Sequence, residues 1–219
     1  MTGLSIVAVV PMKPLNLSKT RLASVLSEQE RADLSLAMFS KVVSAAHEAL
    51  GVVWVVGGDE AVKQASNGLG AKWLEDPGND LNESLSFAFS KACRVGSAAI
   101  YLPSDLPFVT AADIEKIVQA SVGGETLALS PAQQDGGTNA MLIPKCLRFP
   151  PLLGKDSYAR HKQHAASLGI PYTVCLSEGL ALDLDTPDDL ALCDRLQPGF
   201  LSTMMPADVS STPKGDKKD

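Results

Sequence analysis

Five consecutive apolar residues near the start of the chain, Ile6-Val7-Ala8-Val9-Val10, four of them β-branched, constrain the fold more than any other stretch. A run without polar alternation is a strand covered on both faces, which requires a sheet held between layers of helices. Pro11 and Pro14 stop it abruptly. The same pattern recurs at Val52-Val53-Trp54-Val55-Val56, halted by Gly57-Gly58-Asp59, and at residues 98–102, halted by Pro103 and Pro107. Between these runs the period becomes helical. Ser27 and Glu30 have the spacing of a capping box, and Leu34, Met38, Val42, Ala45, Ala46 and Ala49 then fall on one apolar face. Leu81, Leu85, Ala88, Phe89 and Ala92 form a second such face. Thr110 with Asp113 opens another helix, and Thr186-Pro187-Asp188-Asp189 places proline at a first helical position before an acidic first turn.

Weaker strands are expected at 71–74, 126–129, 140–143 and 172–176, a helix at 158–168, and an irregular basic segment at 15–26. Strand alternating with helix predicts an α/β fold of three layers, a mostly parallel central sheet with helices on both faces. Residues 1–198 read as one domain. Residues 199–219 are polar and carry Pro206, Pro213 and the Lys217-Lys218 pair, and they read as a disordered tail.

A formal net charge of -6 argues against broad attraction to nucleic acid or to an anionic membrane. Clustered cations in such a chain therefore call for a local anion. No stretch of about 18 apolar residues occurs. The 6–10 run lacks a basic leader and a small-residue cleavage site, so a cytoplasmic protein is expected. Cys93, Cys146, Cys175 and Cys193 are too widely spaced for a paired metal motif, and buried reduced thiols are expected.

In sheets of this kind ligands gather at the carboxyl ends of the strands, and three groups of residues fall there. Lys13, Lys19 and Arg21 follow the first strand on a segment with two prolines and no glycine. It is neither a glycine-rich phosphate loop nor a dinucleotide fingerprint, yet three cations there can neutralise a triphosphate. Asp105, held between Pro103 and Pro107, has the fixed backbone that suits a ligand of a divalent metal. A capping aspartate in a turn is the alternative. Asp183 and Asp185 alternate along an extended segment and so point to one face. A cation offsets their repulsion, while Asp185 also stands where it can cap the helix beginning near Thr186. Asp135-Gly136-Gly137-Thr138-Asn139 is either a plain hairpin turn or a turn presenting Thr138 and Asn139 to an anion. Gly154, Ser157, Arg160 and His161 sit at a helix start, where backbone N–H groups favour an anion. No serine or cysteine nucleophile pairs with His161, so triad chemistry is not supported.

At these residues the chain resembles the 2-phospho-L-lactate and phosphoenolpyruvate guanylyltransferases of coenzyme F-420 biosynthesis. The likeness runs over nearly all of residues 5–196. It is carried by Val10-Pro11-Met12-Lys13-Pro14-Leu15, Ser18-Lys19-Thr20-Arg21-Leu22, Pro103-Ser104-Asp105-Leu106-Pro107, Asp135-Gly136-Gly137-Thr138-Asn139-Ala140, Gly154 with Ser157, Arg160-His161 and Leu182-Asp183-Leu184-Asp185-Thr186-Pro187. The resemblance implies a nucleotidyltransferase (GT-A-like, Rossmann-like) fold and transfer of GMP from GTP to a small phosphorylated acid with release of pyrophosphate. It implies Mg²⁺ on Asp105, Asp183 and Asp185, and catalytic roles for Lys13, Lys19, Arg21 and Asp105. The acceptor is expected at Thr138, Asn139, Gly154, Ser157 and His161, and the nucleotide at Pro11, Lys13, Asn82, Pro103 and Ser104. Homodimerisation and passage of the product to a downstream deazaflavin transferase are further expectations. Where the family has Gly-Leu-Asn this chain has Asp80-Leu81-Asn82, and Leu153 replaces an aromatic residue before the acceptor-loop glycine. A nucleotidyltransferase with a molybdopterin or sugar-1-phosphate acceptor, and a non-catalytic nucleotide-binding module, are the alternatives.

Overall fold

The computed structural model describes residues 5–78 and 80–205. Strands β1 (Ile6–Met12), β2 (Val53–Gly57), β3 (Lys72–Leu74), β4 (Ala98–Tyr101), β5 (Leu127–Pro131), β6 (Thr138–Ile143) and β7 (Tyr172–Val174) form one sheet in the order β3-β2-β1-β4-β6-β5-β7. The most apolar strand thus lies inside the sheet, and its side chains alternate between two cores. Ile6, Ala8, Val10 and Met12 join one core with Phe39, Val42, Ile114 and Ile117. Val7 and Val9 join the other with Leu85, Ala88, Ala92 and Ala165. Helices α1 (Glu28–Leu50), α2 (Glu60–Gly68), α4 (Ala111–Ala120) and α6 (Glu178–Ala181) lie on the first side, α3 (Leu81–Arg94) and α5 (Ser157–Ser167) on the second. The three expected layers are therefore present.

The capping spacings read at Ser27/Glu30 and Thr110/Asp113 are both formed as capping boxes, and the helix start read at Thr186 proves to hold a third, closed by Asp189. The last opens α7 (Pro187–Leu196), with Pro187 in its first turn. Residues 15–26 are two short 3₁₀ turns held to the core by Leu22 and Leu26.

One strand breaks the parallel pattern. β1 pairs in parallel with β2 and β4, whereas β6 runs antiparallel to both β4 and β5. Because β6 is reversed, its first residues, Thr138 and Asn139, lie at the edge where β1 and β4 end. The 132–137 turn is indeed a hairpin, closed by the Ala132 N–H on the Gly137 carbonyl, and it delivers those two side chains to the carboxyl-end edge.

Two expectations are corrected. Cys93 and Cys146 form a disulfide with Cα atoms 4.8 Å apart; only Cys175 and Cys193 are free and buried. The bond joins the last turn of α3 to the turn after β6, a proximity created by the β4–β6 pairing and invisible in a separation of 53 residues. The stretch after 198 is not wholly without structure: α8 (Phe200–Met204) buries Phe200, whose ring lies 5.7 Å from that of Phe108. Residues 206–219, the rest of the expected tail, lie outside the described residues. Among the described residues no helix is long and apolar enough to cross a membrane.

Candidate active site

A cleft of about 530 Å³ opens along the carboxyl ends of β3, β2, β1 and β4, a volume within the usual range for small-ligand sites. Pro11, Lys13, Lys19, Arg21, Pro103, Ser104, Asp105 and Asp185 all line it. The loops that begin at β1 and β4 are adjacent because those strands pair, so two sequence motifs some ninety positions apart (Lys13 and Asp105) share one wall. A third motif arrives by a backbone tie, the Leu184 N–H donating to the Asp105 carbonyl at 3.1 Å. Leu184 itself is buried, which turns Asp183 and Asp185, on either side of it, back toward Asp105.

At the centre the Lys19 ammonium stands 2.5 Å from Asp105 Oδ2 and 3.2 Å from Asp185 Oδ1. Its side chain is only 6% exposed. Burial alone would lower its pKa; Asp105 and Asp185 outweigh burial and hold it above the ordinary lysine value. Lys19 also adopts a left-handed backbone conformation (φ 50°), uncommon for a residue with a long side chain and typical of a constrained functional position. Arg21 reaches Asp185 Oδ2 at 3.0 Å from the exposed rim. Lys13 is exposed at the mouth of the cleft.

Asp183 takes no part in the Lys19 pairing and accepts from Asn139 Nδ2 at 3.0 Å. Burial first, and then the charge of Asp105, push its pKa up to about 6. Tyr101 beneath the site is buried, and desolvation followed by Asp105, Asp183 and Asp135 keeps its hydroxyl protonated throughout the working pH range. A surplus of negative charge therefore sits just beside Lys19. Among the described residues no three acidic, histidine or cysteine side chains form a ready-made metal cage. Two carboxylates do converge on one cation, here the Lys19 ammonium, and a third lies close by without one. That donor set suits Mg²⁺, which takes one or two carboxylates and fills its sphere with phosphate oxygens and water.

The expected acceptor residues form a second, buried cluster beyond Asp183. Thr138 Oγ1 lies 2.9 Å from His161 Nδ1 and 3.3 Å from Ser157 Oγ. His161 is fully buried, and its Nε2 accepts the Leu152 N–H at 3.0 Å. Burial, then Arg160 and His164, lower its pKa to about 4. The ring is thus neutral, and with Nε2 accepting, its proton is on Nδ1 and is donated to Thr138. His161 has neither surface nor free nitrogen for a ligand, so its expected contact with the acceptor is corrected to a positioning role. Gly154 has φ 119°, and a Cβ there would lie 3.2 Å from Arg160 Nη2, so glycine is the residue that fits this turn.

Asn82 departs from expectation too. Its amide accepts the Leu153 N–H at 2.8 Å and donates to the Leu153 carbonyl at 3.3 Å, fastening the 152–157 loop to α3 instead of facing the cleft. Sequence reasoning missed this pairing, and it missed Asp76 and Ser84, which line the cleft. The first needs knowledge of how α3 and α5 share one side of the sheet; Asp76 follows the weakest of the expected strands.

A model of the family described as "Guanylyl transferase CofC like" matches residues 6–193. The chain is 37% identical over 190 residues to a phosphoenolpyruvate guanylyltransferase of Rubrobacter xylanophilus, covering 86% of this chain and 93% of that one. It is 32% identical over 179 residues to a 3-phospho-D-glycerate guanylyltransferase of Phenylobacterium zucineum, covering 78% and 82%. Among solved structures, a nucleotidyl transferase from Methanothermobacter superposes with a TM-score of 0.64 at 17% identity, over 92% of this chain and all of that one. The fold is that of the nucleotidyltransferases.

Proposed function

The chain belongs to the CofC-like guanylyl transferase family, and from that premise we propose that it moves GMP from GTP onto a small phosphorylated acid, releasing pyrophosphate, in coenzyme F-420 biosynthesis. The observation that carries this reading is the pairing of Lys19 with Asp105 and Asp185 at the junction of the nucleotide-sized cleft and the Thr138–Ser157 cluster. Charges of both signs stand where two phosphorylated substrates would meet.

An oxygen of the acceptor phosphate attacks the α-phosphorus of GTP, a new P–O bond forms, and the bond to the β-phosphate bridging oxygen breaks in line. The attacking oxygen is already anionic, so no strong base is required, and positioning with charge neutralisation carries the rate. Lys13, Lys19 and Arg21 stabilise the charge that passes to pyrophosphate. Thr138, with its oxygen occupied by His161 Nδ1–H, has its hydroxyl proton free to donate to the acceptor, and Ser157 and the Gly154 turn complete that subsite. Asp105 and Asp185, with Asp183 beside them, would hold Mg²⁺, which when bound neutralises charge on the reacting phosphate oxygens.

The test is pyrophosphate release from GTP and Mg²⁺ with 2-phospholactate, phosphoenolpyruvate or 3-phosphoglycerate, with ATP as control. Release with GTP that depends on one acid is the expected result and names the acceptor. A folded protein that releases none with any of the three refutes the reading.

A further inference from the structure

The cations after β1 and the carboxylates after β4 occupy one end of the cleft, and its far end lies at β3, where Asp76 and Ser84 line it. Strands β4, β1, β2 and β3 lie side by side, so the end of β3 stands three strand spacings, about 14 Å, from the end of β4. That distance matches the reach of a nucleotide whose phosphates lie at Lys19 and Asp105 and whose base points toward β3.

What waits there is Asp76. Its Oδ1 is occupied, accepting the Gly78 N–H at 2.9 Å with the buried Ser84 hydroxyl 2.6 Å away. Its Oδ2 has no hydrogen-bond partner among the described residues; it stands above Gly57, where a Cβ would come within 3.2 Å of Oδ2 and 2.8 Å of the Met12 carbonyl. The neighbouring aspartates are spent on the backbone. Asp59 gives one oxygen to the Leu15 N–H and the other to the Val62 N–H, and Asp80 caps α3 through the Asn82 and Glu83 N–H groups. Asp76 is therefore an anchored carboxylate with one acceptor oxygen left over in the cleft.

We propose that Asp76 is the residue that selects guanine, its Oδ2 accepting from the N1–H and 2-amino donors of the base. The inference rests on the guanylyl-transfer reading above. Adenine presents a lone pair at N1 and only a C–H at C2, so the same carboxylate repels it. A site built around a charged acceptor discriminates strongly because the wrong base leaves that acceptor desolvated and unpaired.

The anchoring also makes the test sharp. In Asp76→Asn the amide oxygen must take the Oδ1 place, because the Gly78 N–H donates there, and the NH₂ then faces the base. That group repels the guanine donors and complements the 2-oxo group of xanthine. The experiment measures kcat/KM for GTP, XTP, ITP and ATP in wild type, D76N and D76A, with melting curves as the fold control. Expected are a roughly ten- to hundred-fold fall with GTP and a rise of at least about ten-fold with XTP in D76N. D76A, which can neither accept nor donate, should treat GTP and ITP nearly alike. A GTP-to-XTP ratio in folded D76N equal to that of the wild type overturns the proposal. Equilibrium binding of fluorescent GDP and XDP reads the same preference without turnover. Loss of the switch in both assays overturns the role of Asp76, whereas a switch in binding without turnover in any protein overturns only the guanylyl-transfer reading. Should D76N not fold, an unchanged GTP-to-ITP ratio in D76A overturns the proposal by itself.

Discussion

His161 makes a prediction in which sign and size both follow from the structure. Its ordinary pKa of 6.5 is lowered to about 4 in the folded chain, so the unfolded state takes up a proton that the folded state refuses. Stability from this group is complete above about pH 7, declines as the pH falls through 6.5, and is fully lost near pH 4. The shift of about 2.5 units corresponds to about 3 kcal/mol in total, of which about 2 kcal/mol is gone at pH 5. In His161→Asn the amide nitrogen can still donate to Thr138, but the Leu152 N–H loses its acceptor, at a cost of about 1–3 kcal/mol at every pH. The variant is therefore less stable than wild type at pH 8, and the gap narrows by about 2 kcal/mol at pH 5. Urea denaturation followed by circular dichroism at pH 8, 6 and 5 measures that gap, and taking the difference between the two proteins cancels the titration of every other group. A gap that stays constant across those pH values refutes the neutral, Nδ1-protonated ring, and with it the account of how Thr138 is oriented.

Replacing Asp105 by asparagine should remove at least about a hundred-fold of turnover from a protein that still folds, as circular dichroism shows, and pyrophosphate release at saturating substrates checks it. Asp183 is ionised at pH 8 against a pKa raised to about 6; because its folded value lies above the unfolded one, ionisation destabilises the fold at high pH. Asp183→Asn in the absence of metal should thus be more stable at pH 8 by up to about 3 kcal/mol, with the advantage fading below pH 6, while Mn²⁺ binding monitored by electron paramagnetic resonance weakens. Cys93→Ser removes a cross-link spanning 53 residues, worth up to about 4 kcal/mol by loop entropy. Dithiothreitol should lower the melting temperature of the wild type and leave that of the variant unchanged.

The apolar runs at 6–10, 52–56 and 98–102, the capping spacings at Ser27 and Thr110, the proline-first helix start at Thr186 and the prolines around Asp105 fixed the layers of this protein from local chemistry alone. Strand covering, cap spacing and proline geometry are short-range properties, and they read directly from neighbouring residues. The same reading located Lys13, Lys19, Arg21 and Asp105 on one edge, because the ends of parallel strands are where a sheet leaves room for ligands. Only the tertiary structure decided which partner each polar group takes. Asn82 went to the Leu153 backbone and not to the cleft, His161 to Thr138 and Leu152, and Lys19 to two aspartates from opposite parts of the chain. Cys93 found Cys146 because β6 runs back alongside β4. A hydrogen bond or ion pair is settled within a few tenths of an ångström between groups that can lie a hundred residues apart, and no local pattern carries that information. It arises when the strands take their order and the sheet sets which loops meet.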